Sequence, residues 1–158
     1  MKSLLCFAFL LVAACVGHNK SQNTPSSDTV RVVLNIKAQL GEGAIWNNQE
    51  NLLWWIDIEK GILHKYNPVD GTDKEYTMGR RIGTVVPSES GKVLVALEDG
   101  LNFFDPATGN FSFITDPEAS LPDMMYNDGK CDPAGRLWVG SMGMASDNMY
   151  KASLYRLD

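Results

Sequence analysis

The chain has 158 residues, 44% hydrophobic and 21% charged, a balance that suits one folded domain with a substantial core and excludes a disordered chain. Its formal net charge is −5 and its 14 Lys and Arg gather in no stripe. Nucleic acid, which is held by clustered cations facing phosphates, is therefore excluded as a partner.

In chain order, Lys2 precedes an uninterrupted apolar run from Leu4 to Ala14, LLCFAFLLVAA. A mature membrane-spanning helix needs about 20 apolar residues, so this shorter run predicts a signal peptide over residues 1–14. Its ending, Val12-Ala13-Ala14-Cys15, resembles a bacterial lipobox, in which Cys15 becomes the lipidated first residue of the mature chain. An ordinary secretory signal with an incidental cysteine is the alternative. The lipobox reading places the protein in the bacterial cell envelope, periplasmic side or cell surface, touching the membrane only through the lipid at Cys15. Cys6 leaves with the signal, which strands Cys131 without a disulfide partner. Residues 15–29, polar from Gly17 to Thr29 with one proline and no apolar period, predict a flexible tether.

From residue 30 to 158, short apolar or alternating runs predict strands, and no stretch keeps a helical period. The candidates are Val30–Ala38, Gly43–Trp46, Leu52–Asp57, Ile62–Tyr66, Lys74–Met78, Ile82–Val86, Lys92–Leu97, Leu101–Phe104, Asn110–Ile114, Leu137–Ser141 and Ser153–Leu157. The breakers between them include Asn67-Pro68-Val69-Asp70-Gly71, Asp105-Pro106-Ala107-Thr108-Gly109 and Asp132-Pro133-Ala134-Gly135. In each, proline presets one turn dihedral and glycine accepts a positive φ. The strands repeat. Leu53-Trp54-Trp55-Ile56 aligns with Val93-Leu94-Val95-Ala96 forty positions on, and Leu137-Trp138-Val139-Gly140 follows after another forty-four. A period near forty with about four strands per unit marks a propeller blade. The expectation is an all-β, six-bladed β-propeller of which about three blades are present, the chain being part of a larger ring. A compact sandwich of about eleven strands is the alternative architecture.

The chemistry is carried by oxygen donors. Only His18 and His64 occur, the first in the tether and the second inside a strand, which argues against a histidine-rich zinc site. No G-x-S-x-G elbow, P-loop or EF-hand register is found. In Leu40-Gly41-Glu42-Gly43-Ala44-Ile45-Trp46 a carboxylate stands between two glycines before an apolar strand, and flanking glycines let a backbone bend sharply. If that strand is innermost in its blade, Glu42 lies at the mouth of a central channel and suits a hard cation; a turn glutamate in solvent is the alternative. In Met125 to Arg136, Asn127-Asp128-Gly129 is a turn signal, with Asn127 offering an amide and Asp128 suited to fixing backbone amides.

The run from Asn127 to Arg136, followed by Leu137-Trp138-Val139-Gly140-Ser141-Met142, resembles the N-D-G-K-x-D-P-x-G-R signature of the regucalcin/gluconolactonase family. Gly41-Glu42-Gly43-Ala44-Ile45-Trp46 is similar to that family's opening motif, and Ser153-Leu154-Tyr155-Arg156 to a later strand. The resemblance covers about Ala38 to Asp158. It implies a propeller binding one divalent cation, calcium or zinc, and hydrolysing a small sugar lactone or related cyclic ester. It makes Glu42 a metal ligand and Asn127 a substrate-binding residue, and it puts the general base beyond Asp158, so no catalytic residue falls within this sequence. Two positions depart from the family: Met125 replaces a common arginine, and Ala145 stands where an acidic residue is usual, with Asp147 close by. A non-enzymatic cation- or sugar-binding envelope propeller, or an inactive truncated fragment, are the competing functions.

The lipobox reading makes a direct prediction. In a bacterial host fed a fatty-acid analogue, the wild-type chain takes up label and Cys15→Ser does not; equal labelling of the two would contradict it.

Overall fold

A computed structural model of the chain describes residues 29–145 and 151–158. The expected signal peptide and Cys15 lie outside the described residues. Among the described residues there are eleven strands and no helix, hence none long and apolar enough to cross a membrane.

The first sheet is the meander β1 (Gly41–Asn47), β2 (Leu52–Asp57), β3 (Ile62–Asn67) and β4 (Thr72–Thr77). The second is β5 (Ile82–Pro87), β6 (Val93–Leu97), β7 (Gly100–Phe104) and β8 (Phe111–Thr115). The third comprises β9 (Met124–Cys131), β10 (Leu137–Gly143) and β11 (Leu154–Leu157). Every pairing is antiparallel. The first strand of each sheet faces its counterparts: β5 packs against β1 on one side and β9 on the other. These are three blades of a propeller, and the sandwich alternative is set aside.

The turns form as their residues require. Asn67 accepts the Val69 N–H and Asp105 the Ala107 N–H through their side chains. The Gly71 and Gly109 N–H groups close the same turns on the Asn67 and Asp105 carbonyls. Between blades, the apolar residues divide by strand alternation. Val93, Val95 and Leu97 of β6 join Trp54, Ile56 and Leu63 in the core shared with the first blade. Leu94 and Ala96 join Tyr126, Leu137 and Val139 in the core shared with the third. Every residue of β6 is buried because both faces of the middle blade are covered.

Two expectations fail. The run Val30–Ala38 forms no strand; Val30, Val32 and Val33 are exposed, and period-two patterning makes no strand without a neighbouring edge to bond. At its end, the Gln39 and Leu40 N–H groups go instead to the Asp57 carboxylate, at 2.8 and 3.1 Å. Conversely, Asn127-Asp128-Gly129 is no turn but lies within β9.

Each innermost strand carries one extra residue, a β-bulge. In β1, Gly43 and Ala44 together oppose Trp55, between the pairs Glu42–Ile56 and Ile45–Trp54. In β5, Gly83 is inserted between the pairs Ile82–Leu97 and Thr84–Ala96. In β9, Asn127 and Asp128 together oppose Gly140. At the second bulge the backbones touch: a Cβ on Gly83 would lie 2.0 Å from the Tyr126 carbonyl oxygen and 2.9 Å from Asn127 Cα. Beside it, the buried Thr84 hydroxyl donates to the Gly129 carbonyl at 3.1 Å.

Gly83→Ala must therefore push β5 from β9, and denaturant unfolding should show a loss of about 1–3 kcal/mol. Gly140→Ala, whose new Cβ meets nothing closer than the Asp128 carbonyl at 3.8 Å, should stay within about 0.5 kcal/mol of wild type. Equal losses would refute the close-approach argument.

Candidate functional site

Glu42 sits on β1 directly before its bulge, where Gly43 adopts φ 63°, a left-handed value that favours glycine. Its carboxylate is exposed and has no side-chain hydrogen bond among the described residues. It borders a cavity of about 470 Å³ whose other side-chain walls are apolar, among them Leu34, Ile36, Leu53 and Trp55. Asp57 supports this corner: besides the Gln39 and Leu40 amides it accepts the Lys60 N–H at 3.4 Å, and it pairs with Gly41 across the ladder. Burial pulls the Asp57 carboxyl upward in pKa, but the three backbone donors outweigh it and leave the group below its ordinary value.

Asn127 lies in the β9 bulge, half-buried, with no side-chain hydrogen bond among the described residues. Glu42 thus precedes the bulge of β1 and Asn127 lies within that of β9, on either side of β5, and no hydrogen bond links them. Asp128 does not fix backbone amides; it is exposed and pairs with Lys130. Met125 is 3% exposed and belongs to the core with Val85 and Val95, so its thioether is a packing group and lines no site. Ala145 is half-buried, and Asp147 lies outside the described residues. Cys131 is a free, exposed thiol.

Two features escaped the sequence. The first is Glu118, 4% exposed. One of its oxygens accepts from the Ser141 hydroxyl at 2.6 Å and the Tyr155 hydroxyl at 2.9 Å, tying β10 to β11. Next to it, the Tyr126 hydroxyl donates to Asp116 at 2.8 Å; burial, then the Asp116 carboxylate, raises the phenol above its usual range. Ser141 and Tyr155 both belong to motifs singled out above, but nothing in Asp116-Pro117-Glu118 distinguishes their acceptor from a loop carboxylate. The second is a group formed by His64, Asp73 and Glu75, whose ligand atoms lie within 4.8 Å of one another. Position 64 faces 75 in the β3–β4 register, so hairpin pairing could have found it.

Residues 40–158 match the SMP-30/gluconolactonase/LRE-like region. The chain belongs to this family. It is 28% identical over 122 residues to the putative sugar lactone lactonase YvrE of Bacillus subtilis, covering 77% of this chain and 41% of that protein. It is 34% identical over 125 residues to the L-arabinolactonase of Azospirillum brasilense, covering 78% and 39%. Among solved structures, the calcium-binding protein regucalcin of Agrobacterium tumefaciens superposes with a TM-score of 0.72 at 29% identity, covering 80% of this chain and 43% of that one. The chain spans about two-fifths of the length of the relatives it matches.

Because the folded Asp57 carboxyl titrates below its ordinary value of about 3.9, its stabilising contribution is complete above that value. It is lost as pH falls through the folded one. Acid unfolding followed by tryptophan fluorescence should be less steep below about pH 4 in Asp57→Asn than in wild type. Superimposable acid limbs would remove Asp57 as the support of the Glu42 corner.

Proposed function

We propose that the protein carrying this chain is a lactonase acting on a sugar lactone, with Glu42 a ligand of a divalent cation and Asn127 a substrate-orienting group. The observation that carries this reading is the placement of both residues at or beside bulges of innermost strands, each with its polar group free of side-chain partners among the described residues. Bulges re-aim side chains and concentrate beside active sites. The lactonase names of the relatives supply the reaction class.

Glu42 fits an oxygen-seeking cation, since its carboxylate is exposed and uncommitted; calcium takes about 6–8 oxygens, so Glu42 is one donor of a larger set. When bound, such a cation supplies Lewis acidity toward the lactone carbonyl. The Asn127 amide donates to an oxygen of the bound lactone and fixes its orientation. The apolar wall of Leu53 and Trp55 packs against the ring carbons and keeps bulk water from that side. No residue of this chain is given the role of general base. The burial of Met125 leaves the arginine position of the family motif without a polar side chain, which favours a substrate lacking an anionic group there.

In the whole protein, Glu42→Gln keeps shape but removes charge, and calorimetric titration with calcium or zinc should show severely weakened binding. Asn127→Ala should retain the cation and lose about 10²-fold in hydrolysis, read by a pH indicator on a panel of sugar lactones. Undiminished affinity in Glu42→Gln would remove it from the site. A wild type that binds cation but hydrolyses no lactone would move the assignment to a binding propeller.

A further inference from the structure

The first blade holds a second group of metal-ligating side chains, separate from Glu42. Trp55 of β2, His64 of β3 and Glu75 of β4 lie in one cross-strand row. Asp73, two residues before Glu75, shares their face. The His64 Nδ1 is 2.6 Å from Asp73 Oδ2, and the Trp55 indole N–H donates to Asp73 Oδ1 at 3.1 Å. The Trp55 and His64 rings stack with centroids 3.7 Å apart and planes 12° from parallel. His64 is 1% exposed, the Asp73 side chain is buried, and Glu75 opens to solvent.

A His–Asp hydrogen bond alone is an ordinary cross-link between strands. Three observations take this one further. A third donor, Glu75, brings a carboxylate oxygen within 4.8 Å of the other two ligand atoms. Among the described residues no lysine or arginine pairs with Asp73 or Glu75, so two carboxylates converge on one imidazole with no cationic side chain to balance them. Finally, Trp55 holds Asp73 by hydrogen bonding and His64 by stacking, the kind of support that fixes the ligands of built metal sites.

We propose that His64, Asp73 and Glu75 form a cation site for a borderline divalent ion of the zinc, nickel or copper class. Imidazole nitrogen mixed with carboxylate oxygen is the donor set of such ions, whereas calcium and magnesium prefer oxygen alone. Ligand bonds of about 2.0–2.2 Å in tetrahedral geometry require His64 Nδ1 and Asp73 Oδ2 to part by about 0.8 Å from their present 2.6 Å contact. Glu75, exposed and unpaired, then closes the third position from the solvent side. The site is independent of the lactonase assignment.

The test uses the full chain in a His18→Ala background, which leaves His64 as its only imidazole. Zinc alone is titrated by calorimetry, and copper alone is followed by electron paramagnetic resonance and by quenching of tryptophan fluorescence, to which Trp55, stacked on His64, contributes. The expected result is one zinc per chain, retained in Glu42→Gln and weakened at least about tenfold in Glu75→Gln. Nitrogen hyperfine coupling on copper should be present, and absent in His64→Gln. Glu75→Gln changes an exposed side chain, so the comparison survives even if His64→Gln fails to fold. Failure to bind zinc, or zinc affinity that Glu42→Gln lowers and Glu75→Gln does not, would overturn the proposal.

Discussion

The arrangement depends on a contact between backbones. At Gly83 the innermost strand of the middle blade comes so close to Tyr126 and Asn127 that no side chain fits between them. Strands usually keep about 10 Å between stacked sheets, with side chains filling the gap. Here glycine lets two blades converge near their inner ends, while the full side chains of β6 and β7 hold them apart further out. The wedge shape of a propeller blade follows from this gradient of side-chain size. Across the same seam the buried Thr84 hydroxyl donates to the Gly129 carbonyl, which also accepts from Lys130 Nζ at 3.2 Å.

The same constraint positions the polar residues of interest. Each innermost strand carries a bulge, which interrupts the alternation of its side chains. In β9, Met124, Met125 and Tyr126 are all buried, and burial gives way at the bulge to the half-buried Asn127 and the exposed Asp128. Glu42 precedes the bulge of β1, in a regular pair with Ile56, and is exposed there, with Asp57 holding the approach to its strand. Buried polar groups elsewhere, notably Glu118 with Ser141 and Tyr155, are joined to strands of the third blade and fix its outer part. Rigid strands therefore carry free polar groups, as a binding or catalytic site requires.

Most strands were legible in the sequence because their burial is decided locally, by alternation and by proline and glycine in the turns. The exceptions show where that logic stops. Val30 to Ala38 alternates well, yet a strand also needs a partner, and periodicity says nothing about who supplies it. Asn127-Asp128-Gly129 has turn composition, but pairing with β10 and the packing of Gly83 outweigh local preference. Glu42 and Asn127 could be singled out by motif and flanking glycines. The His64 group needed the β3–β4 pairing to be worked out first, because its three members are assembled by hairpin register and not by motif spacing. Met125, which stands where the family commonly has an arginine, could not be placed by motif, and its apolar side chain lies in the core.

The Gly83 contact and the Thr84 bond join β5 and β9 into one cooperative unit. Native-state hydrogen exchange measures this directly. The account predicts that amides of Thr84, Val85, Gly129 and Lys130 exchange through a single shared opening, and that Thr84→Val lowers the protection of both strands together. Independent opening free energies for β5 and β9, with Thr84→Val affecting β5 alone, would contradict it.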